Sequence, residues 1–441
     1  MCNNEAFGFF LGPAPVRPRD AYRPRTCDAM TASHLSDSSA PSPTLRVEDI
    51  RHSHDRDAAR ASARLSIGST QHDVWFRVSR APIASRADAW LCATLIPAMK
   101  LGAALQIDGA VGPRLLASSS SVQDIMAMWS PRCRRVSIRA DRSDVEPRTA
   151  PRPAACFFSG GVDSFYTLLK HRDAIDTLIF VHGHDTPLDE RDRLAAISQR
   201  IHAAARELGK SAIDVETNLR DFSERYATWA PEYFGSFLGS IAALLAPQFA
   251  TIYIPASCDY NQLDPFGSHP LLDPLWSTDE MTIVHDGCEA TRFQRVARIA
   301  ASDVALRYLR VCLRDRGPIE NCARCEKCLR TMVSLRILGA LDHCRTFAHP
   351  LDLARVARVD TSSDETRSYV EENLRALRDV GAANDPLLEQ ALQDALGGLY
   401  RRGVWGWPVR AARLAGRALR RQGRSAPRAE SSRAVVSEAS S

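Results

Sequence analysis

The chain has 441 residues, of which 45% are hydrophobic and 25% charged, a balance typical of globular domains. This composition excludes a wholly disordered chain, a collagen-like repeat and a disulfide-rich scaffold, and no run of about 18 apolar residues predicts a transmembrane helix. The net charge of +5 arises in residues 401–441, where ten arginines face two glutamates, so the rest carries about −3. The charge therefore gives no indication that the chain binds nucleic acid outside this tail.

The N-terminal part of the chain divides into a leader and a small domain. Residues 1–42 are rich in proline and serine, which predicts a disordered leader, with Met30 as an alternative start. No secretory signal is recognised, so we expect a cytoplasmic protein whose twelve cysteines are reduced or metal-bound. Residues 43–145 are predicted to form an accessory α/β domain with helices at 87–100 and 122–129 and strands at 64–67, 74–78, 105–107 and 135–138.

After a proline-rich linker at 146–153, strands and helices alternate at a spacing typical of parallel strands with crossover helices. We predict strands at 154–158, 177–181, 212–215, 251–254 and 281–284, and helices at 162–171, 189–208 and 234–245. The predicted fold is a doubly wound, mostly parallel α/β sheet in residues 151–346. A helical segment follows at 347–398, with apolar positions at Leu374, Leu377, Leu387, Leu388 and Leu392. The arginine-rich tail at 399–441 is predicted to be solvated, with binding to an anionic membrane or RNA as the alternative.

A glycine-rich turn follows the first strand of this sheet. It contains Ser159, Gly160, Gly161, Val162, Asp163 and Ser164. Two glycines allow close approach of the backbone to a ligand, and the N-terminus of the next helix attracts an anion, most plausibly phosphate. Because a carboxylate repels phosphate, we expect Asp163 to bind Mg²⁺ that bridges it to a pyrophosphate.

The string Ser-Gly-Gly-Val-Asp-Ser after a strand resembles the PP-loop of the N-type ATP pyrophosphatases, which cleave ATP to AMP and pyrophosphate while adenylating a substrate. The resemblance implies that Ser159, Gly160, Gly161, Asp163 and Ser164 hold the pyrophosphate. It also implies that the end of the second strand, with His182 and Asp185, lies near the adenosine. His182 and His184 as metal ligands, or as ordinary polar residues at a strand end, are the alternatives.

A second motif is a cluster of four cysteines, Cys312, Cys322, Cys325 and Cys328. Four thiolates at these spacings can close a tetrahedron around Zn²⁺, and with no open coordination position the metal would be structural. An iron–sulfur cluster and free buried cysteines are the alternatives.

A PP-loop followed by four cysteines resembles the 7-cyano-7-deazaguanine synthase branch, which converts a deazaguanine carboxylic acid to a nitrile with ATP and ammonia. The resemblance covers residues 154–340. The cysteine spacing and the additional domain at 43–145 differ, so we expect a paralogue with its own substrate. The resemblance implies that this chain is an ATP-dependent carbon–nitrogen ligase. Its partners would be a small-molecule carboxylate, ammonia or an ammonia donor and, in a homodimer, a second copy of the chain.

The polar stretch at 255–298 supplies candidates for the substrate pocket, because functional loops follow strand ends in this architecture. They are His269, Asp273, Trp276, His285 and Asp286. Arg292, with Arg295 and Arg298, is predicted to clamp the substrate carboxylate or the α-phosphate as a catalytic residue. Solvated surface positions and a capping turn are the alternative interpretation.

Two other functions compete with the ligase. A tRNA-modifying PP-loop enzyme would require an electropositive body, against which the charge of about −3 argues. A regulatory or scaffold protein that binds ATP without turnover is the second alternative.

Overall fold

The computed structural model describes residues 43–79, 82–144, 151–312, 314, 318–381 and 385–397. The predicted leader at 1–42 and the tail at 399–441 lie outside the described residues. The described strands are β1 Thr44–His54, β2 Ala58–Ile67, β3 Thr70–Ser79, β4 Ala104–Val111, β5 Ile138–Arg142, β6 Ala154–Phe157, β7 Ile175–His182, β8 Ser211–Thr217, β9 Thr251–Pro255 and β10 Thr282–Asp286. The described α-helices are α1 Asp88–Leu101, α2 Pro113–Trp129, α3 Val162–Lys170, α4 Arg191–Glu207, α5 Leu219–Ser223, α6 Phe234–Leu244, α7 Arg292–Ala300, α8 Asp303–Tyr308, α9 Glu326–Ile337, α10 Leu353–Val356, α11 Asp364–Asp379 and α12 Pro386–Gly397.

All ten described strands belong to one sheet, in the order β10-β9-β6-β7-β8-β3-β2-β1-β4-β5. Six of the nine neighbouring pairs are parallel, and the three antiparallel pairs join β8 to β3, β3 to β2 and β2 to β1. The prediction of an α/β protein with a mostly parallel sheet is therefore confirmed. No helix in the described part of the chain is both long and apolar enough to cross a bilayer.

The strand order reverses at β6, which lies between β7 and β9. The chain leaves β6 through α3 and adds β7 and β8 on one side, and it later returns to add β9 on the other side. A reversal of this kind opens a crevice at the carboxyl ends of the parallel strands. The predicted phosphate loop at 159–164 follows β6 at this point.

Strands from both sides of the predicted linker belong to one sheet. Phe76 and Val78 of β3 pair antiparallel with Thr217 and Val215 of β8. Helices from both sides also pack together, since the Tyr233 hydroxyl donates to the Ala93 carbonyl at 2.7 Å. Residues 43–144 and the parallel sheet thus share one core, and independent folding of an N-terminal domain stays a prediction.

Two N-terminal elements differ from the predicted ones. Strand β1 was not predicted, because a bulge between Glu48 and Arg51, with Asp49 at a φ of +54°, interrupts its alternation. Helix α2 begins at Pro113, before the predicted start at 122. Its first half was not predicted, because it contains four serines, which are weak helix formers. Burial of its apolar side chains, Leu115 among them, stabilises that half.

The C-terminal helices α10, α11 and α12 pack with α9 around a separate apolar cluster. Four of the five predicted apolar positions are buried there, Leu374, Leu377, Leu388 and Leu392. The fifth, Leu387, is 70% exposed.

Candidate functional site

The predicted phosphate loop connects β6 to α3 at the reversal of strand order. Gly160 has a φ of +76°, a conformation in which a larger residue is strained. The Gly161 amide donates to Ser159 Oγ at 3.3 Å, and Ser164 Oγ donates to the Gly161 carbonyl at 3.1 Å. These bonds fold the loop over the first turn of α3, whose free N–H groups attract an anion.

Two adjoining cavities of about 190 and 230 Å³ open over this loop. We call them the polar lobe and the apolar lobe. Their common floor consists of residues that line both lobes, Ser159, Asp163, Asp185, Arg310 and Lys327. The polar lobe adds Arg292, Val311, Cys312, Arg314, Arg330 and Thr331. The apolar lobe adds Phe157, Phe158, Phe180, Phe234, Leu238 and Ile254. Every predicted loop residue except Gly160 lines one lobe or both.

Arg310, which the sequence did not indicate, is the buried cation of the floor. Its amide donates to the Gly160 carbonyl at 2.8 Å, and its Nε donates to the Ser159 carbonyl at 3.3 Å. Its Nη2 lies 3.9 Å from the Asp185 carboxylate. Burial lowers the pKa of Arg310, because this distant carboxylate offsets only part of the desolvation cost. Such an incompletely paired cation is suited to binding an anion.

Lys327 is the second cation of the floor that sequence reasoning missed. Among the described residues, its ammonium group makes no hydrogen bond or ion pair within contact distance. Its positive charge nevertheless helps to lower the pKa of Asp163 and of Asp185. The signal that could have identified both cations is their position beside the cysteine cluster.

Asp163, in the first turn of α3, is held by two arginines of α7. Arg295 Nη1 lies 2.6 Å from Oδ1, and Arg292 places Nη1 2.9 Å from Oδ1 and Nη2 3.1 Å from Oδ2. Desolvation opposes ionisation, but these guanidinium groups lower the pKa of Asp163 below its ordinary value. A carboxylate between two fixed cations is a poor Mg²⁺ ligand. In this structure Asp163 anchors the two arginines, and its expected contact with Mg²⁺ stays a prediction.

Arg292 and Asp163, the two predicted catalytic residues, are therefore in direct contact. Arg292 lines the polar lobe, and its buried Nε has no hydrogen-bond partner among the described residues. Arg295 is 1% exposed and does not line either lobe. Its other hydrogen bonds go to the carbonyls of Ala256, Cys258, Gly287 and Ala290. Arg295 thus ties the strand ends to α3, and Arg292 is the arginine available to a ligand.

Asp185 lies on the floor, as its predicted place near the nucleotide requires. Its side chain is 52% exposed, and Oδ1 lies 3.0 Å from His184 Nδ1. Desolvation in the cleft opposes ionisation, but His184, Arg310 and Lys327 hold the pKa of Asp185 well below its ordinary value. Asp185 therefore stays ionised and is open to a hydrated cation.

His182 lines neither lobe, which corrects its predicted contact with ATP. It ends β7, and its Nε2 lies 2.7 Å from Oδ1 of Asp214 on the neighbouring strand β8. The other oxygen of Asp214 lies 2.6 Å from His202 Nε2. Because side chains alternate across a strand, its last residue can face a helix while the following loop faces the crevice.

His184 lies in the apolar lobe, two residues further along the chain. Its ring centroid is 5.0 Å from that of Phe234 and 5.4 Å from that of Trp229. Its Nε2 is buried without a hydrogen-bond partner in the described residues. Within the part of the chain that the structure describes, neither His182 nor His184 belongs to a group of side chains placed to hold a metal ion.

The five residues predicted to form a substrate pocket line neither lobe. Asp273 is fully buried and lies 2.7 Å from His285 Nδ1, while Trp276 packs against Gly239 of α6. His269 is buried, and its amide approaches the Asp273 carboxylate at 3.4 Å. These side chains stabilise the loop between β9 and β10, so their predicted place in a pocket is corrected.

Asp286, the fifth of these residues, connects β10 to α3. Its carboxylate accepts from Thr167 Oγ1 at 2.9 Å and from Lys170 Nζ at 2.8 Å, and it lies 2.8 Å from His171 Nε2. All three partners lie at the C-terminal end of α3 or just beyond it, away from the phosphate loop. Asp286 therefore holds the helix and lies outside the cleft.

The cysteine cluster has the geometry of a metal site. The four sulfur atoms lie within 4.8 Å of one another, and Cys322 Sγ is 3.8 Å from Cys328 Sγ. Four sulfurs at ~2.3 Å from a tetrahedral zinc ion are separated by roughly 3.8 Å. The amides of Arg324 and Cys325 donate to Cys322 Sγ at 3.4 and 3.3 Å. The cluster can hold a metal ion such as zinc.

The electrostatics of the cluster also favour a cation. A hydrogen bond with Cys325, burial and the negative charges of the neighbouring thiolates raise the pKa of Cys328 far above its ordinary value. All four thiols can therefore ionise together only with a positive ion between them, which a metal such as zinc could supply.

The cysteine cluster forms one wall of the polar lobe, because Cys312 lines that lobe. The cations of the lobe that flank the cluster are Arg310, Arg314, Lys327 and Arg330, each within two residues of a cysteine of the cluster. We call these four residues the cation wall. Four of the five cationic residues that line the polar lobe therefore lie next to the cysteine cluster in the sequence, and the fifth is Arg292.

Helix α11 supports this wall from behind through Tyr369, which is 2% exposed. The Arg330 guanidinium lies 3.9 Å from the centre of the Tyr369 ring, and that of Arg292 lies 5.8 Å away. Cation–π contacts of this kind orient a guanidinium group without neutralising it. The C-terminal helical segment therefore contributes to the geometry of the cleft.

Comparisons with protein-family models, with curated proteins and with solved structures found no match to this chain.

Proposed function

We propose that the protein binds ATP in the two-lobed cleft and uses it to adenylate a substrate carboxylate, releasing pyrophosphate. The observation that carries this proposal is the pair of cations, Arg310 and Lys327, over the glycine loop at the N-terminus of α3. The largely buried Arg310, the exposed Lys327, loop amides and a helix N-terminus converge on one point, which is a polyphosphate site in chemical terms. The resemblance of the loop to a PP-loop supports the same assignment.

The two lobes have different linings, and on this basis we assign a part of the nucleotide to each. The apolar lobe, with Phe157, Phe234 and His184 in its lining, suits a purine base. The phosphates would lie over the common floor, and the polar lobe would receive the leaving pyrophosphate or the substrate carboxylate beside Arg292. The α-phosphate would then lie between the two lobes.

Magnesium would enter as part of the Mg·ATP substrate. Asp163 does not suit it, because two arginines already pair with its carboxylate. Asp185, half exposed and ionised, is the floor carboxylate that can accept a hydrogen bond from water on the magnesium ion. No step of the proposed reaction depends on a protein ligand to this ion.

In the proposed reaction, a carboxylate oxygen attacks the α-phosphorus in line, and the bond to the β-phosphate oxygen breaks. Pyrophosphate leaves with the electron pair, and an acyl adenylate remains. Ammonia then attacks the acyl carbon, AMP departs, and the nitrogen loses a proton to water. Arg292, Arg310 and Lys327 stabilise the charge that develops on the phosphates.

We propose zinc for the cysteine cluster, held by Cys312, Cys322, Cys325 and Cys328, where it would fix the fold of this wall. As the substrate class we propose a deazaguanine carboxylic acid or a related acid, on the resemblance to the 7-cyano-7-deazaguanine synthase branch. Free ammonia or a partner protein would supply nitrogen.

The test is release of AMP and pyrophosphate from Mg·ATP with 7-carboxy-7-deazaguanine and ammonium. We expect Lys327→Met to weaken Mg·ATP binding at least tenfold, since a charge-assisted phosphate contact contributes about 1.5–3 kcal/mol. Lys210→Met is the matched control, because that lysine donates to the Arg172 carbonyl outside both lobes. Binding without AMP would support an ATP-binding regulatory protein. No binding of Mg·ATP would refute the proposal.

A further inference from the structure

The cysteine cluster and the phosphate loop are joined by a short, continuous path. Arg310 is two residues from Cys312, and its amide donates to the Gly160 carbonyl at 2.8 Å. Lys327 lies between Cys325 and Cys328 at the start of α9. Fixing the cysteines in place therefore also fixes the backbone that carries the two cations of the floor.

Asn321 fastens the two parts of the cluster to each other. It is 1% exposed and precedes Cys322. Its Oδ1 accepts from the amides of Val311 and Cys312 at 2.8 and 3.1 Å, and its Nδ2 donates to the Leu309 carbonyl at 2.9 Å. The segment that carries Arg310 is thus bonded to the segment that carries Cys322, so neither can move alone.

We infer that metal binding by the four cysteines and polyphosphate binding in the cleft are thermodynamically coupled, with Arg310 and Lys327 as the positioning residues between them. The inference rests on the proposed function and adds that metal binding regulates it. A metal ion organises ligand segments that lack fixed structure without it, and organised cations bind phosphate with less loss of entropy. Because coupling is reciprocal, bound phosphate must also retain the metal.

The reciprocal direction gives a test that does not require folded metal-free protein. Full-length zinc-loaded protein is mixed with excess 4-(2-pyridylazo)resorcinol, and zinc transfer is followed by absorbance. Saturating ADP with excess Mg²⁺ is expected to slow zinc release by about 5- to 150-fold, the usual range for coupled sites. Adenosine, which has the same base and no phosphate, is expected to leave the rate unchanged.

Two variants separate coupling from general stabilisation. Lys327→Met should keep its zinc and lose most of the protection by Mg·ADP, measured at saturating nucleotide. Lys210→Met, altered at a lysine outside both lobes, should behave as the wild type.

Each contrary result identifies what fails. Mg·ADP binding, measured by calorimetry, without slower zinc release would overturn the coupling and leave the proposed function standing. Equal protection by adenosine and Mg·ADP would also overturn it, because zinc release would then report only global stability. Absence of Mg·ADP binding would overturn both.

Discussion

Asp163 Oδ1 lies 2.6 Å from Arg295 Nη1, and Arg295 is 1% exposed. This ion pair connects the first turn of α3, which follows the phosphate loop, to α7. The Arg295 side chain also donates to four backbone carbonyls, so its position is fixed independently of Asp163. The positive charge of Arg295 is therefore held in the interior, and Asp163 neutralises it there.

Asp163→Ala is expected to destabilise the protein by about 3–5 kcal/mol, because it leaves a buried guanidinium without its carboxylate. Urea unfolding followed by circular dichroism measures this change. Asp73→Ala is the matched control, since the Asp73 side chain is 86% exposed and lies 3.6 Å from Arg64, so its loss should cost less than about 1 kcal/mol. Equal stability of Asp163→Ala and wild type would contradict the anchoring role.

Cys325→Ser is expected to lose the metal and to aggregate or unfold, because metal binding contributes about 10–16 kcal/mol to comparable sites. Elemental analysis and solubility after expression measure both effects. Cys258→Ser is the control, as Cys258 is a half-buried cysteine outside the cluster. A soluble Cys325→Ser protein with full metal content would be incompatible with a metal site at these residues.

The buried pair of His285 and Asp273 should make stability depend on pH. Although burial opposes it, the hydrogen bond to Asp273 raises the pKa of His285 from 6.5 to about 9. The protonated form is therefore favoured by folding, and its contribution is complete below pH 6.5 and is lost as the pH rises through about 9. The loss should be on the order of 3 kcal/mol.

Urea unfolding between about pH 6 and about pH 10 measures this loss in the wild type and in His285→Gln, whose neutral amide does not titrate. The difference in unfolding free energy between the two proteins should shrink over this range. A constant difference would show that His285 does not change its charge.

Tyr369→Leu is expected to weaken Mg·ADP binding by about 2- to 30-fold, because each cation–π contact contributes about 0.5–2 kcal/mol and the variant frees Arg330 and Arg292. Calorimetry measures the affinity. Tyr369→Phe keeps the ring and removes the hydroxyl, which donates to Glu365 at 3.2 Å and also interacts with Arg292, so it should bind more tightly than Tyr369→Leu. If Tyr369→Leu binds Mg·ADP as tightly as Tyr369→Phe, the ring does not support the cleft.

Local sequence signals were reliable where the chain itself builds the feature. The residues at 159–164 form a strand-to-helix turn because Gly160 permits a positive φ and a helix follows at once. The cysteine cluster was likewise predictable, since three of its four ligands lie within seven consecutive residues. Both features depend on contacts short enough along the chain for spacing to determine them.

The loop between β9 and β10 shows where such reasoning fails. His269, Asp273 and His285 looked like pocket residues because polar groups after strand ends often bind ligands. In the structure they satisfy one another in a buried network, and their distance from the cleft depends on how the loop packs against α6. Composition does not distinguish a buried polar network from a binding site.

The sequence alone determined the class of fold, the glycine-rich turn between β6 and α3 and the cysteine cluster, because alternation, glycine conformation and thiol spacing act over a few residues. Only the tertiary structure brought Arg310 and Lys327 over a loop about 150 residues earlier in the chain, and only it placed Arg292 and Arg295 on Asp163. The reason is physical. Strand order and helix packing decide which distant side chains meet. Opposite charges that meet away from water form an ion pair, and here two arginines pair with Asp163, the carboxylate that was predicted to bind a metal ion.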